Sequence, residues 1–198
     1  MTLNATGAAL ALHRETERHV LPNGLTLLVR RDRSAPVVSI VTHVKAGYFD
    51  EHDEIVGIAH VLEHMFFKGT PTRGVGAIAR ETKASGGYLN AHTIYDHTSY
   101  YTVLPSTSFV QGLDIQFDAY ARSVIDADEL ARELEVIIQE AKRKRDTPTA
   151  VAIESLYALL HDKHRIRRWR IGEEAGLRAL TQPALLDFYR IWYQPSNT

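Results

Sequence analysis

The sequence predicts an α+β fold, an antiparallel or mixed sheet with helices packed on one face. Three observations carry that reading. β-branched and aromatic runs bounded by turn residues fill much of the first half. Helical periodicity dominates the second half. Long helices stand after and between the strands, which favours segregated layers.

In chain order, "RHVLPNGLTLLVRRD" reads as two strands around a Pro22-Asn23-Gly24 turn, and the β-branched run "PVVSIVTHVKAG" at 36 to 47 reads as a third. A helix is expected over about 55 to 68, with Gly69 placed to end it. A Gly/Ala-rich stretch then suggests another helix, and "GGYLNAHTIYDHTSYYTVL" reads as one or two strands with a polar interruption. Helices are expected at about 107 to 124, 127 to 144, 150 to 162 and 181 to 192. The closing "FYRIWYQPSNT" follows a strong helix without the strand an α+β domain often places next, so the fold reads as truncated before its last strands.

The 198 residues are 44% hydrophobic and 24% charged, enough for one core or at most two. With 23 Lys plus Arg against 24 Asp plus Glu, the overall balance points to no nucleic-acid or acidic-membrane partner. There is no cysteine, so thiol nucleophiles and thiolate metal ligands are excluded, and a zinc site must use His, Asp or Glu. Residues 1–16 read as a loose tail, and the domain proper as 17–198. No apolar run approaches the roughly 20 residues that span a bilayer. The expected location is cytoplasmic, or periplasmic if a signal peptide has been removed.

"GIAHVLEHMFFKG" places His60, Glu63 and His64 inside an otherwise apolar helix. Positions i, i+3 and i+4 share a face, so the three project together. Two imidazoles one turn apart can chelate one Zn²⁺, leaving the carboxylate free to act on water. H-x-x-E-H is the inverzincin pattern. A plain structural role fits poorly, because Ile58, Val61, Leu62, Met65 and Phe66 surround these groups and unpartnered burial costs several kcal/mol.

A catalytic zinc site usually has three protein ligands. The later helix "DADELARELEVIIQEAKRKR" offers four glutamates. At about 100° per residue, Leu130, Leu134, Ile137, Ile138 and Ala141 form one apolar stripe. Glu133 and Glu140 lie along its edge, and Glu135 falls well outside it.

These motifs, with "GGYLNAHTIYDHTSYY", "ELEVIIQEAKRKRDTP" and "FYRIWYQPSN" in this order and spacing, resemble the M16 (pitrilysin-type) zinc metallopeptidases, which include mitochondrial processing peptidase and insulysin. The resemblance runs from about residue 17 onward. It implies a fold of the kind shared with S-ribosylhomocysteine lyase. It also implies a zinc-dependent endopeptidase acting on peptides or unfolded polypeptides. His60, His64 and Glu140 are then the zinc ligands. The catalytic assignments are Glu63, as general base toward a zinc-activated water, and Glu133, as the carboxylate supporting the site from outside the ligand set. Asn90 and Ala91 fall where the family adds substrate as an extra strand to a sheet edge, and Phe67 falls on a substrate-pocket position. The implied partners are a peptide and a second M16-type domain, fused or supplied by a homologous subunit as in a dimer. The present chain corresponds to one half, expected to hold metal but to cleave little alone.

The alternative is a non-catalytic M16-like subunit that binds peptides or supports an active partner, although such subunits typically lack the ligand set. The lyase needs a cysteine that this chain does not have. "KRKR" at 142 to 145 suits a helix C-terminus, and "HRIRRWR" at 164 to 170 reads as solvated basic surface. His92 and His97 are expected to lie off the metal.

Overall fold

A computed structural model describes residues 16–198. The expected tail falls outside the described residues except for Thr16, which opens the first strand. Strands β1 (Thr16–Val20) and β2 (Thr26–Arg30) form an antiparallel hairpin. Its turn is closed by Gly24 N–H donating to the Leu21 carbonyl at 2.9 Å and by Leu25 N–H donating to Asn23 Oδ1 at 3.1 Å.

β3 (Val37–Val44), β4 (Tyr88–Thr93) and β5 (Thr98–Pro105) form a second antiparallel sheet in the order β3-β5-β4. The polar interruption expected between 88 and 105 is the turn separating β4 from β5. β4 is an edge strand, as expected for the Asn90-Ala91 segment. Side chains alternate across the sheet: Val37, Ser39, Val41 and His43 lie on the exposed face, whereas Val44, Tyr100 and Leu104 are buried under helices. Among the described residues no helix is long and apolar enough to cross a membrane.

The helices are α1 (Ile58–Met65), α2 (Ala77–Ala84), α3 (Phe109–Arg122), α4 (Ala127–Arg145), α5 (Pro148–Leu160), α6 (Glu174–Ala179) and α7 (Gln182–Trp192). α6 was not expected; six residues are too few to show a period, and it is held by burial of Leu177. α3 packs on β3 and β5, and α1 contacts β4, α4 and α7. An eight-residue helix is marginal by itself. α1 is held by tertiary burial instead, with Ile58, Val61, Leu62 and Met65 at most 1% exposed and worth roughly 1.5–3 kcal/mol each.

α1 is shorter than the expected 55 to 68. Gly57 sits at φ +96°, a conformation a side chain would strain, and a Cβ there would meet the Ile171 carbonyl oxygen at 2.7 Å. The helix therefore starts only at Ile58. At the other end the chain turns after Met65 and reaches Gly69 at φ +136°.

The start of α1 is secured by a residue the sequence reading did not single out. Glu51 is 1% exposed, and its two carboxylate oxygens accept from Gly57 N–H and Ala59 N–H, both at 3.0 Å. Acceptor oxygens at a helix N-terminus satisfy donors that have no partner within the helix. Glu51→Ala leaves two buried N–H groups unpaired and should cost about 2–4 kcal/mol, measured by urea unfolding.

Burial pushes the Glu51 carboxyl up to about 7, against the pull of those two N–H groups and of Arg168. The folded state then holds this proton more tightly than the unfolded chain. Its contribution to stability is full below about pH 4.5 and is lost as pH rises through about 7. Glu51→Gln should flatten that part of the stability profile, and an unchanged slope would rule the assignment out.

Residues 142–145 end α4 as expected, whereas two arginines of 164 to 170 are less solvated than their sequence suggested. Arg168, only 16% exposed in its side chain, donates to the carbonyls of Tyr48 at 2.7 Å and Glu51 at 3.1 Å. Arg170 donates to Glu154 at 2.8 Å. Lys142, Lys144 and Arg145, in the last turn of α4, pair with Glu174, Glu154 and Glu173. Much of this positive charge thus braces α4 and the segment before α1.

Candidate metal centre

α1 and α4 pack together and bring three donors to one point. His60 Nε2 lies 4.0 Å from Glu140 Oε2, and His64 Nε2 lies 3.9 Å from the same oxygen. The rings of His60 and His64 stand edge to face with centroids 4.7 Å apart. One donor atom from each of the three residues falls within 4.8 Å of the others, a grouping found for no other set of His, Cys, Asp or Glu among the described residues. Metal bonds of about 2.0–2.2 Å bring two donors into range of one ion when they are no more than about 4.2 Å apart, and both His–Glu140 separations meet that limit.

The protonation state of His60 suits a cation. Burial holds His60 well down, at about 3, with His64 and Lys144 adding to the effect, so its imidazole is neutral and has a lone pair to give. His60 Nδ1 is buried and makes no hydrogen bond among the described residues. His64 Nδ1 lies 2.8 Å from Glu133 Oε1, and with the proton on that nitrogen Nε2 is free to face Glu140. Burial opposes charge on His64, but Glu133, Glu63 and Glu140 outweigh it and the net shift is upward.

Glu133 is 8% exposed and is itself gripped from two sides, by His64 and by Lys68. These contacts, the His64 hydrogen bond first, lower its carboxyl to about 2. Lys68 had given no signal in the sequence, because nothing local distinguishes a partnered lysine from a solvated one. The helix wheel correctly separated the glutamates. Glu133 and Glu140 face α1, whereas Glu135 pairs with Arg178 and Glu129 with Arg132.

Glu63 projects from α1 beside the two histidines but belongs to no donor triad. Its Oε2 accepts from the Thr93 hydroxyl at 2.5 Å. Burial raises its pKa against the opposing Thr93 bond and His64, which favours a carboxylate able to take up a proton.

The residues expected to meet substrate lie on neighbouring elements. Asn90 and Ala91 are in edge strand β4, where Asn90 Nδ2 donates to the Tyr88 hydroxyl and Ala91 N–H donates to Asn90 Oδ1, both at 2.8 Å. Phe67 is half-buried, edge-on to Phe66 and Tyr100. His92 and His97 are outside the donor triad; His97 bonds Asp96 at 2.9 Å and stacks on His43. A cavity of about 420 Å³ lined by Asp53, Lys163, Arg167 and Trp169 includes none of the donors.

Residues 26–172 match the family model described as Insulinase (Peptidase family M16). The chain is 33% identical over 177 residues to an uncharacterized zinc protease of Rickettsia felis, covering 89% of this chain and 43% of that protein. It is 31% identical over 183 residues to an Arabidopsis thaliana protein named "Probable mitochondrial-processing peptidase subunit beta, mitochondrial", covering 92% and 34%. A protease from Helicobacter pylori of solved structure superposes with a TM-score of 0.87 at 25% identity, covering 92% and 44%. The chain spans less than half the length of each of these proteins.

Proposed function

The chain belongs to the insulinase family of peptidases, M16, and on that footing we propose that residues 17–198 are the metal-holding half of a zinc-dependent endopeptidase. The observation that carries this reading is the convergence of His60, His64 and Glu140, with Glu63 beside them and outside the triad. Two imidazoles and one carboxylate are a donor set that zinc accepts, and relatives named zinc proteases support that choice of metal. When bound, the ion supplies Lewis acidity that polarises the scissile carbonyl and acidifies water.

The chain's own residues do the rest. Glu63 accepts the proton from the attacking water and returns it to the leaving amine. Glu133 fixes the His64 ring and its tautomer, and Lys68 fixes Glu133. Asn90 and Ala91 present a free sheet edge on which an extended peptide adds as a further strand, its main chain supplying affinity. Phe67 lines the pocket for a side chain next to the scissile bond. A second M16-type half, fused or from a homologous subunit, closes over this face. The short coverage of the matched proteins supports this arrangement.

Metal analysis and a fluorogenic-peptide assay of the full-length protein test this reading. Stoichiometric zinc, activity abolished by chelator and activity restored by added zinc are expected. A zinc-replete protein with no peptidase activity would favour a non-catalytic subunit instead.

A further inference from the structure

We infer that Thr93 is a positioning residue that orients the general base Glu63, so that the strand offered to substrate also aims the catalytic carboxylate. This rests on Glu63 being the base. Thr93 closes β4, and it is buried on the sheet face that α1 covers. Its hydroxyl has a single proton and two neighbours, Glu63 Oε2 at 2.5 Å and Thr98 Oγ1 at 3.3 Å. Thr98 gives its own proton to the Ala46 carbonyl at 2.9 Å and has none left for Thr93. The short contact therefore takes the Thr93 proton, a charge-assisted bond of the stronger kind.

Two consequences follow from this geometry. The Thr93 hydroxyl holds Oε2 of Glu63 and the Thr93 backbone N–H also acts on this carboxylate, while Oε1 accepts no side-chain hydrogen bond among the described residues and is available to a reacting water. The register of the holder is also fixed. Thr93 pairs with Thr98 and Thr98 with Val44, so the row crosses all three strands. Thr93 lies only a few residues beyond Asn90 and Ala91 on the same edge strand. Peptide docked on β4 and the carboxylate held by β4 thus share one rigid reference. A misplacement of about 1 Å between reacting groups can cost on the order of 10²-fold in rate.

The test uses the full-length, zinc-loaded enzyme. Thr93→Val keeps the β-branched shape without the hydroxyl, and Thr93→Ser keeps the hydroxyl without the methyl. Thr93→Val should lower kcat about 10-fold or more, with KM, zinc content and melting temperature nearly unchanged, and Thr93→Ser should recover most of the loss. If Val destabilises the strand, Thr93→Ala reads the same loss in kcat per folded, zinc-bound molecule. Unchanged kcat in Thr93→Val, a serine variant as slow as valine, or a loss explained by missing zinc would each overturn the inference. Glu63→Gln run in parallel separates the two ideas. An inactive Glu63→Gln beside a fully active Thr93→Val defeats only the role of Thr93, whereas an active Glu63→Gln defeats the base assignment itself.

Discussion

Glu63→Gln lowers kcat of the full-length enzyme by about 10²- to 10⁴-fold while zinc stays bound, the range that general-base catalysis typically contributes. The substitution preserves shape and still offers a carbonyl oxygen to the Thr93 hydroxyl. What it removes is the capacity to accept a proton. His60, His64 and Glu140 are untouched, so metal content should match the parent protein. KM should change little, since the role proposed for Glu63 is toward water and not toward the peptide. Zinc analysis and steady-state kinetics on the same preparation check this. Full activity in the variant would move the base to another residue, and simultaneous loss of zinc would make Glu63 part of the metal's support.

Glu140→Ala should weaken zinc more than any change outside the triad. It deletes the anionic member of the set and leaves two imidazoles, one of them strongly buried and neutral. Glu133→Gln provides the yardstick, because removing a carboxylate that orients a ligand typically costs 10–100-fold in metal affinity. That variant also leaves Lys68 without its buried partner, so a lower melting temperature accompanies the weaker binding. Competition against a chromophoric chelator ranks the two. Should Glu133→Gln bind zinc more weakly than Glu140→Ala, the roles assigned to the two glutamates would have to be exchanged.

The features legible in the sequence are those set by short-range geometry. One turn of helix places residues i, i+3 and i+4 together whatever surrounds them, so the common face of His60, Glu63 and His64 could be read directly. The wheel of α4 put Glu133 and Glu140 on one ridge for the same reason. Strand alternation and turn residues gave the hairpin and the strand segments of the second sheet but not their number or pairing, and the resemblance to M16 peptidases gave the roles expected of the two glutamates. Local reading missed Glu51, Lys68, Thr93 and Arg168. Lys68, Thr93 and Arg168 act across the fold and Glu51 on the helix that follows it, and in sequence each looks like an ordinary surface or strand residue.

By itself, then, the sequence determined the layered α+β architecture, the helix face that carries the histidines and the ridge that carries the glutamates, because period and side-chain type act over a few residues. Tertiary structure alone decided which carboxylate meets His64 Nδ1, that Glu51 caps α1, and that the edge strand reaches Glu63 through Thr93. Those outcomes depend on how α1, α4 and β4 pack together. A buried polar group must find its partner there or bear the cost of desolvation, and no local pattern says which partner it will be.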